Sequence, residues 1–178
     1  MLRIHITGAS GSGTSTLAVA LAAVLGGVHL EADDYYWLPT SPPFTTKRDR
    51  SERLSLLLND LRASNVAVLA GSVAEWGRDL EDCFDLIVFL CLDTPTRVAR
   101  LQRRETERFG HVNPAFLEWA AQYDEGLLPG RSLARQRAWL GARSCPVIEL
   151  RSDASVEELV TTVVQALPRR SLPDDSLR

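Results

Sequence analysis

The 178-residue chain has only three cysteines, and Cys83, Cys91 and Cys145 lie in or beside apolar runs without metal-ligand spacing. An odd, scattered set of this kind excludes a disulfide scaffold and reads as buried reduced thiols. No apolar stretch approaches the roughly 18 residues of a membrane span, and the N-terminus carries no charged-then-apolar leader. The expectation is a soluble, cytoplasmic protein with no membrane partner. Positive charge is also short: 20 lysines and arginines face 23 aspartates and glutamates, for a net charge of -3. That balance argues against duplex nucleic acid, whose binding draws on many uncompensated cations.

What is present suits a single domain, expected over residues 1–167, with 45% hydrophobic residues to build one sizeable core. The tail at 168–178 is expected to be flexible. Apolar runs at 2–6, 66–70, 85–92 and 146–150 have strand lengths and compositions, and 28–30 is a weaker fifth. The unbroken run from Leu86 to Leu92 suits a strand covered on both faces. Between the strands, Leu17, Leu21, Val24 and Leu25 form one helical stripe, and Leu54, Leu57, Leu58 and Leu61 another. Ser155 with Glu158 makes a capping box for a last helix over 156–166. This alternation predicts an α/β fold, a three-layer α/β/α sandwich around a five-stranded parallel sheet. Ligands of such sheets bind beyond the carboxyl ends of the strands.

The first such end reads GASGSGTST, residues 8–16. Gly8, Gly13 and Ser15 satisfy the phosphate-loop pattern of Gly, four residues, Gly, Lys, then Ser or Thr, but Thr14 stands where the lysine belongs. The flanks are right, a strand before and a helix after. Gly8, Ser10, Gly11, Ser12, Gly13, Thr14, Ser15 and Thr16 are therefore expected to cradle nucleotide phosphates through backbone N–H groups and the positive end of the helix. Ser15 sits where a hydroxyl ligates magnesium. Losing the lysine removes a charge near the β- and γ-phosphates but leaves the cradle, so binding should survive better than catalysis. The plain alternative is a Gly/Ser turn that only connects strand to helix.

After the weak second strand comes EADDYYWLPTSPPF, residues 31–44. A kinase acting on an alcohol needs a carboxylate there to orient and deprotonate the hydroxyl, and Asp33 is the candidate, with Asp34 as a magnesium neighbour or a solvent-facing group. Tyr36 and Trp37 are candidate substrate contacts, against the alternative of aromatic core packing. Further on, Arg97, Arg100, Arg104 and Arg108 recur at helical spacing after the fourth strand. Such a row can clamp a triphosphate or form a solvated, ion-paired face. One or two of its arginines are expected to supply the charge that Thr14 does not. Asp93 reads as that helix's cap. The third strand runs into Ala70, Gly71 and Ser72, with no acidic residue at its end.

The phosphate loop, the DDYYW stretch and VFLCLDTPTRVARLQRR together resemble the adenylate-kinase-like group of nucleoside and nucleoside-monophosphate kinases. The resemblance covers residues 2–165 and implies ATP with magnesium, a small-molecule acceptor and a lid near 104–115. In that likeness Arg100 and Arg104 contact ATP, while Asp33 and Tyr36 match the Asp-x-Phe-Tyr element of uridine and nicotinamide riboside kinases, whose aspartate is the base. The chain departs from it at Thr14 and in lacking the Asp-Gly-x-Pro-Arg element of adenylate kinases. Two functions follow as expectations, an ATP-dependent phosphotransferase or a nucleotide-binding module that kept the cradle and lost the chemistry. The loop at 151–155 is the expected adenine pocket, and the sequence leaves the oligomeric state open.

Overall fold

Every residue of Leu2–Gly8 is buried, and this strand, β1, runs through the middle of the molecule. The computed structural model describes residues 1–168. Strands β2 (Val28–Glu31), β3 (Val66–Ala70), β4 (Leu86–Cys91) and β5 (Val147–Arg151) complete an all-parallel sheet in the order β2-β3-β1-β4-β5. Helices α1 (Thr14–Val24), α2 (Ala32–Tyr36), α3 (Arg50–Ala63), α4 (Arg78–Glu81), α5 (Thr94–Phe109), α6 (Pro114–Ala121), α7 (Leu133–Gly141) and α8 (Val156–Ala166) follow in chain order. The five expected strands are all present, within a residue or two of their sequence bounds.

Alternation along the strands separates two cores. Ile4, Ile6, Val68, Val88 and Leu90 pack under Leu17 and Leu21 of α1 and Val160 and Val163 of α8. Ala67, Leu69, Ile87 and Phe89 face the other way, under Leu57 and Leu61 of α3, Leu80 of α4 and Leu140 of α7. His5 points into this second core, stacked on Phe84 at 4.9 Å, and burial pushes its imidazole down to about 4. The sandwich is thus the three-layer one expected.

Two packing expectations change. Val24 ends α1 64% exposed, because the side of the helix that faces the sheet carries Leu17, Leu21 and, partly buried, Leu25 instead. Cys83, Cys91 and Cys145 are free but only half-buried, since each lies at the rim of the second core rather than in it. The capping box of α8 is present, with Ser155 and Glu158 exchanging hydrogen bonds. Asp93 caps α5, accepting from the Thr96 amide at 3.0 Å. The lid expected near 104–115 falls on the end of α5, the Gly110 turn and the first residues of α6. The expected tail lies, beyond Pro168, outside the described residues. No helix among the described residues is long and apolar enough to cross a membrane.

Candidate active site

At the carboxyl end of β1 the chain turns through Ala9–Gly13 into α1. Gly13 is the N-cap of α1 and offers no side-chain cap. Among the described residues, the Ser12 amide is the one loop amide with a protein acceptor, the Ala9 carbonyl at 3.1 Å. Among the described residues, the amides of Ser10, Gly11, Gly13, Thr14, Ser15 and Thr16 have no protein acceptor. A first helical turn always leaves its amides open, and here the loop adds more. The hydroxyls of Thr14, Ser15 and Thr16 make no hydrogen bond within the described protein either. Of the eight expected loop residues, Ser10, Gly11, Gly13, Thr14, Ser15 and Thr16 present open amides, whereas Gly8 is a buried end of β1 and Ser12 is buried with its amide on Ala9.

The cradle is held from behind by α5. Gly11 has φ +84, and a Cβ on it would stand 2.5 Å from the Arg97 carbonyl and 3.0 Å from Leu101. Only glycine tolerates both that backbone and that approach. Gly11→Ala should therefore lower stability by about 3 kcal/mol or more, summing left-handed strain and a backbone collision. Denaturant unfolding measures this; an unchanged midpoint would show that the loop does not pack as described.

The cations sort themselves by burial and partner. Arg97, 1% exposed, is spent on structure: it donates to the Leu92 and Ala120 carbonyls, Thr94 and Asp124, tying α5 to the end of α6. Arg108, at the end of α5, lies over the Phe44 and Phe109 rings. Arg100 lies over the loop, its Nη1 4.0 Å from where a Gly13 Cβ would stand, and donates to the Ser152 carbonyl at 3.3 Å. It thereby bridges the cradle to the expected adenine loop at 151–155. Arg104 pairs with Glu105 at 2.8 Å and adds positive potential at Asp33.

The cation nearest the loop is one that the sequence reading missed. Arg131, from the turn before α7, donates from Nη2 to the Gly8 carbonyl, the last residue of β1. Its Nε is shielded from water and has no partner. Burial pulls its pKa below the usual arginine value, while Tyr123 and Asp33 oppose that shift. Nothing in PGRS, residues 129–132, distinguishes this arginine from any other in a Gly/Pro turn.

Asp33 opens α2 beside these groups. Gly71, φ +109, ends β3, and a Cβ there would stand 2.8 Å from Ala32; this close approach sets α2 against the sheet edge. Asp33 is an exposed residue, yet the protein around it partly encloses its carboxyl. That enclosure raises its pKa above the ordinary carboxylate range, with Asp34 adding to the rise and Arg131 and Arg104 opposing it. Asp34 is exposed and forms no hydrogen bond or ion pair among the described residues.

Tyr36 ends α2 and Trp37 follows it. Trp37 meets Tyr36 edge-on at 4.8 Å and forms an antiparallel bridge with Lys47, while Tyr36 stacks with Trp76 at 6.1 Å. Arg53 of α3 lies 4.6 Å from the Tyr36 ring centre and 4.5 Å from that of Trp76. The sequence reading missed Arg53 too, although a signal existed: it precedes Leu57 and Leu61 at spacings of four, placing a charge on the buried face of α3.

Over 174 residues the chain is 42% identical to YqaC of Bacillus subtilis (strain 168), described as an uncharacterized protein; the match covers 92% of this chain and 96% of that one. The chain belongs to the YqaC family. No protein-family model matches this YqaC-family chain. Its fold matches solved kinases. A gluconokinase from Sinorhizobium meliloti 1021 has a TM-score of 0.57 at 21% identity, covering 96% of this chain and 93% of that one. A shikimate kinase from Acinetobacter baumannii, in complex with shikimate, has a TM-score of 0.61 at 18% identity, with 93% and 92% covered. Deoxyadenosine kinase from M. mycoides with bound dATP has a TM-score of 0.58 at 16% identity, with 93% and 98% covered. The YqaC-family protein therefore has the P-loop kinase fold, as its resemblance to nucleoside and nucleotide kinases implies.

Proposed function

We propose that this protein is an ATP-dependent phosphotransferase that moves the γ-phosphoryl group of ATP to a hydroxyl of a nucleoside, nucleotide or related small metabolite. The observation that carries this reading is the convergence of three groups at the carboxyl edge of the sheet: the open amides of Ser10, Gly11 and residues 13–16, the Arg131 guanidinium on Gly8, and Asp33 with a raised pKa. The amides hold the phosphates, and the positive end of α1 favours their charge. Arg100, between the cradle and the 151–155 loop, meets the nucleotide from the side.

The acceptor hydroxyl attacks the γ-phosphorus as the bond to the β,γ-bridging oxygen breaks, and ADP departs. Asp33 takes the hydroxyl proton. A carboxylate with a raised pKa is better matched to that transfer than one with an ordinary value. Arg131 and Arg104 offset charge developing on the transferred group, which is most of what phosphoryl transfer asks of a protein. Magnesium would be held through the unpartnered Ser15 hydroxyl, with Asp34 available through water; when bound it neutralises phosphate charge. Among the described residues no group of three His, Cys, Asp or Glu could hold a metal alone, which suits an ion carried by the nucleotide.

The test is ATP consumption by purified protein, with magnesium, against nucleosides, nucleotides, sugars and sugar acids. Turnover that depends on one acceptor supports the reading. Tight ATP binding with no turnover on any acceptor would favour the non-catalytic nucleotide-binding module.

A further inference from the structure

Among the described residues, Arg3, Arg53 and Arg97 are the arginines whose whole residues are buried. Arg97 has four acceptors, and Arg3 donates to the Leu2 and Asn65 carbonyls. Arg53 is 7% exposed and its guanidinium donates to nothing among the described residues; its Nε is sealed from water without a partner. The carboxylates near it on α3 are committed elsewhere: Asp49 caps the helix, Glu52 pairs with Arg48, and Asp60 accepts from the Tyr35 hydroxyl. Two aromatic faces hold the cation in place but give its N–H groups no acceptor. A mostly buried guanidinium whose Nε is sealed off and whose other N–H groups find no protein acceptor is costly to hold, and an anion is the partner that relieves it.

The surroundings fit such a partner. Lys47, the only lysine in the chain, lies over the same Tyr36 ring at 5.7 Å and has no ion pair among the described residues. Trp76 is fixed by its amide on the Val73 carbonyl, and Arg50 donates to the carbonyl of Glu75 next to it. Tyr36 and Asp33 are three residues apart on α2, hence on one face.

We infer that the phosphoryl acceptor is itself an anion: a small alcohol carrying a carboxylate or phosphate that Arg53 binds between Tyr36 and Trp76, while its hydroxyl lies at Asp33. This rests on the phosphotransferase reading for the role of the ligand, but not for its charge. Uncharged nucleosides and sugars are then poor acceptors, whereas sugar acids, hydroxy acids and phosphate monoesters are good ones.

The experiment fills the phosphate loop with a non-hydrolysable ATP analogue and follows tryptophan emission while inorganic phosphate, malonate or uncharged glycerol is added. In the wild type, phosphate or malonate should shift the emission with a midpoint on the order of millimolar, and whichever acts more strongly distinguishes a phosphate from a carboxylate. Arg53→Met should weaken that midpoint by about 10- to 100-fold, and Arg53→Lys should recover part of it. If the methionine variant fails to fold by circular dichroism, Arg53→Gln takes its place. No response to either anion, an equal response to glycerol, or an Arg53 variant that titrates like wild type overturns the inference. The kinase reading fails separately: anion binding that depends on Arg53, without ATP consumption, retains the anion site and removes the chemistry. Equal turnover of gluconate with glucose and of AMP with adenosine, with KM unmoved by Arg53→Met, retains the chemistry and removes the anion site.

Discussion

Replacing Arg131 by methionine is expected to lower phosphotransfer by about a thousandfold or more, the scale on which a single arginine stabilises transferring phosphoryl charge. ATP affinity should fall much less, because the amides of the loop remain. The side chain sits on the Gly8 carbonyl, and Thr14 in the lysine position brings only a hydroxyl. Thr14→Lys in the Arg131→Met background should restore part of the lost rate, whereas in the wild type it should mainly tighten ATP binding. Single-turnover kinetics with and without each change separates these effects. Were Arg131→Met silent and Arg100→Ala damaging, the compensating charge would come from α5, as the sequence suggests.

Asp33→Asn is expected to reduce turnover by about 10² to 10⁴, the usual contribution of a positioned base, with ATP affinity largely retained. The same change should raise the melting temperature at neutral pH. The fold disfavours the charged form of a carboxyl whose pKa lies above its unfolded value, so above the raised value Asp33 costs stability. As pH falls through that value the carboxyl takes up a proton and the cost disappears, so wild type and variant should converge in acid. Activity runs the other way, with kcat/KM falling as the base is protonated, at a pH above the ordinary carboxylate range. A variant that keeps full turnover, or one less stable than wild type at pH 7, would remove Asp33 from the role.

Most of the fold was legible because its determinants are local. Five apolar runs, two helical stripes and the Ser155–Glu158 box each act within a few residues, and the structure keeps them except for Val24, which turns out to solvent. The cradle was legible for the same reason. What the chain did not disclose is which arginine faces which group. Arg97, Arg100, Arg104 and Arg108 share a stripe by spacing, yet tertiary packing spends Arg97 on carbonyls and turns Arg108 to aromatic rings. Arg131 and Arg53 reach the site from turns and helices that carry no nucleotide motif. Their roles depend on partners far along the chain, Gly8 for one and Tyr36 with Trp76 for the other, and periodicity is blind to such pairs.

The contact between Gly8 and Arg131 spans 123 positions. During synthesis the cradle leaves the ribosome with the first strand and helix, while the guanidinium emerges only after four of the five strands. At elongation rates of about 5 to 20 residues per second, that lag is roughly 6 to 25 seconds. On the proposed reading, the loop gains its arginine, and with it its capacity for phosphoryl transfer, only once the turn before α7 has docked.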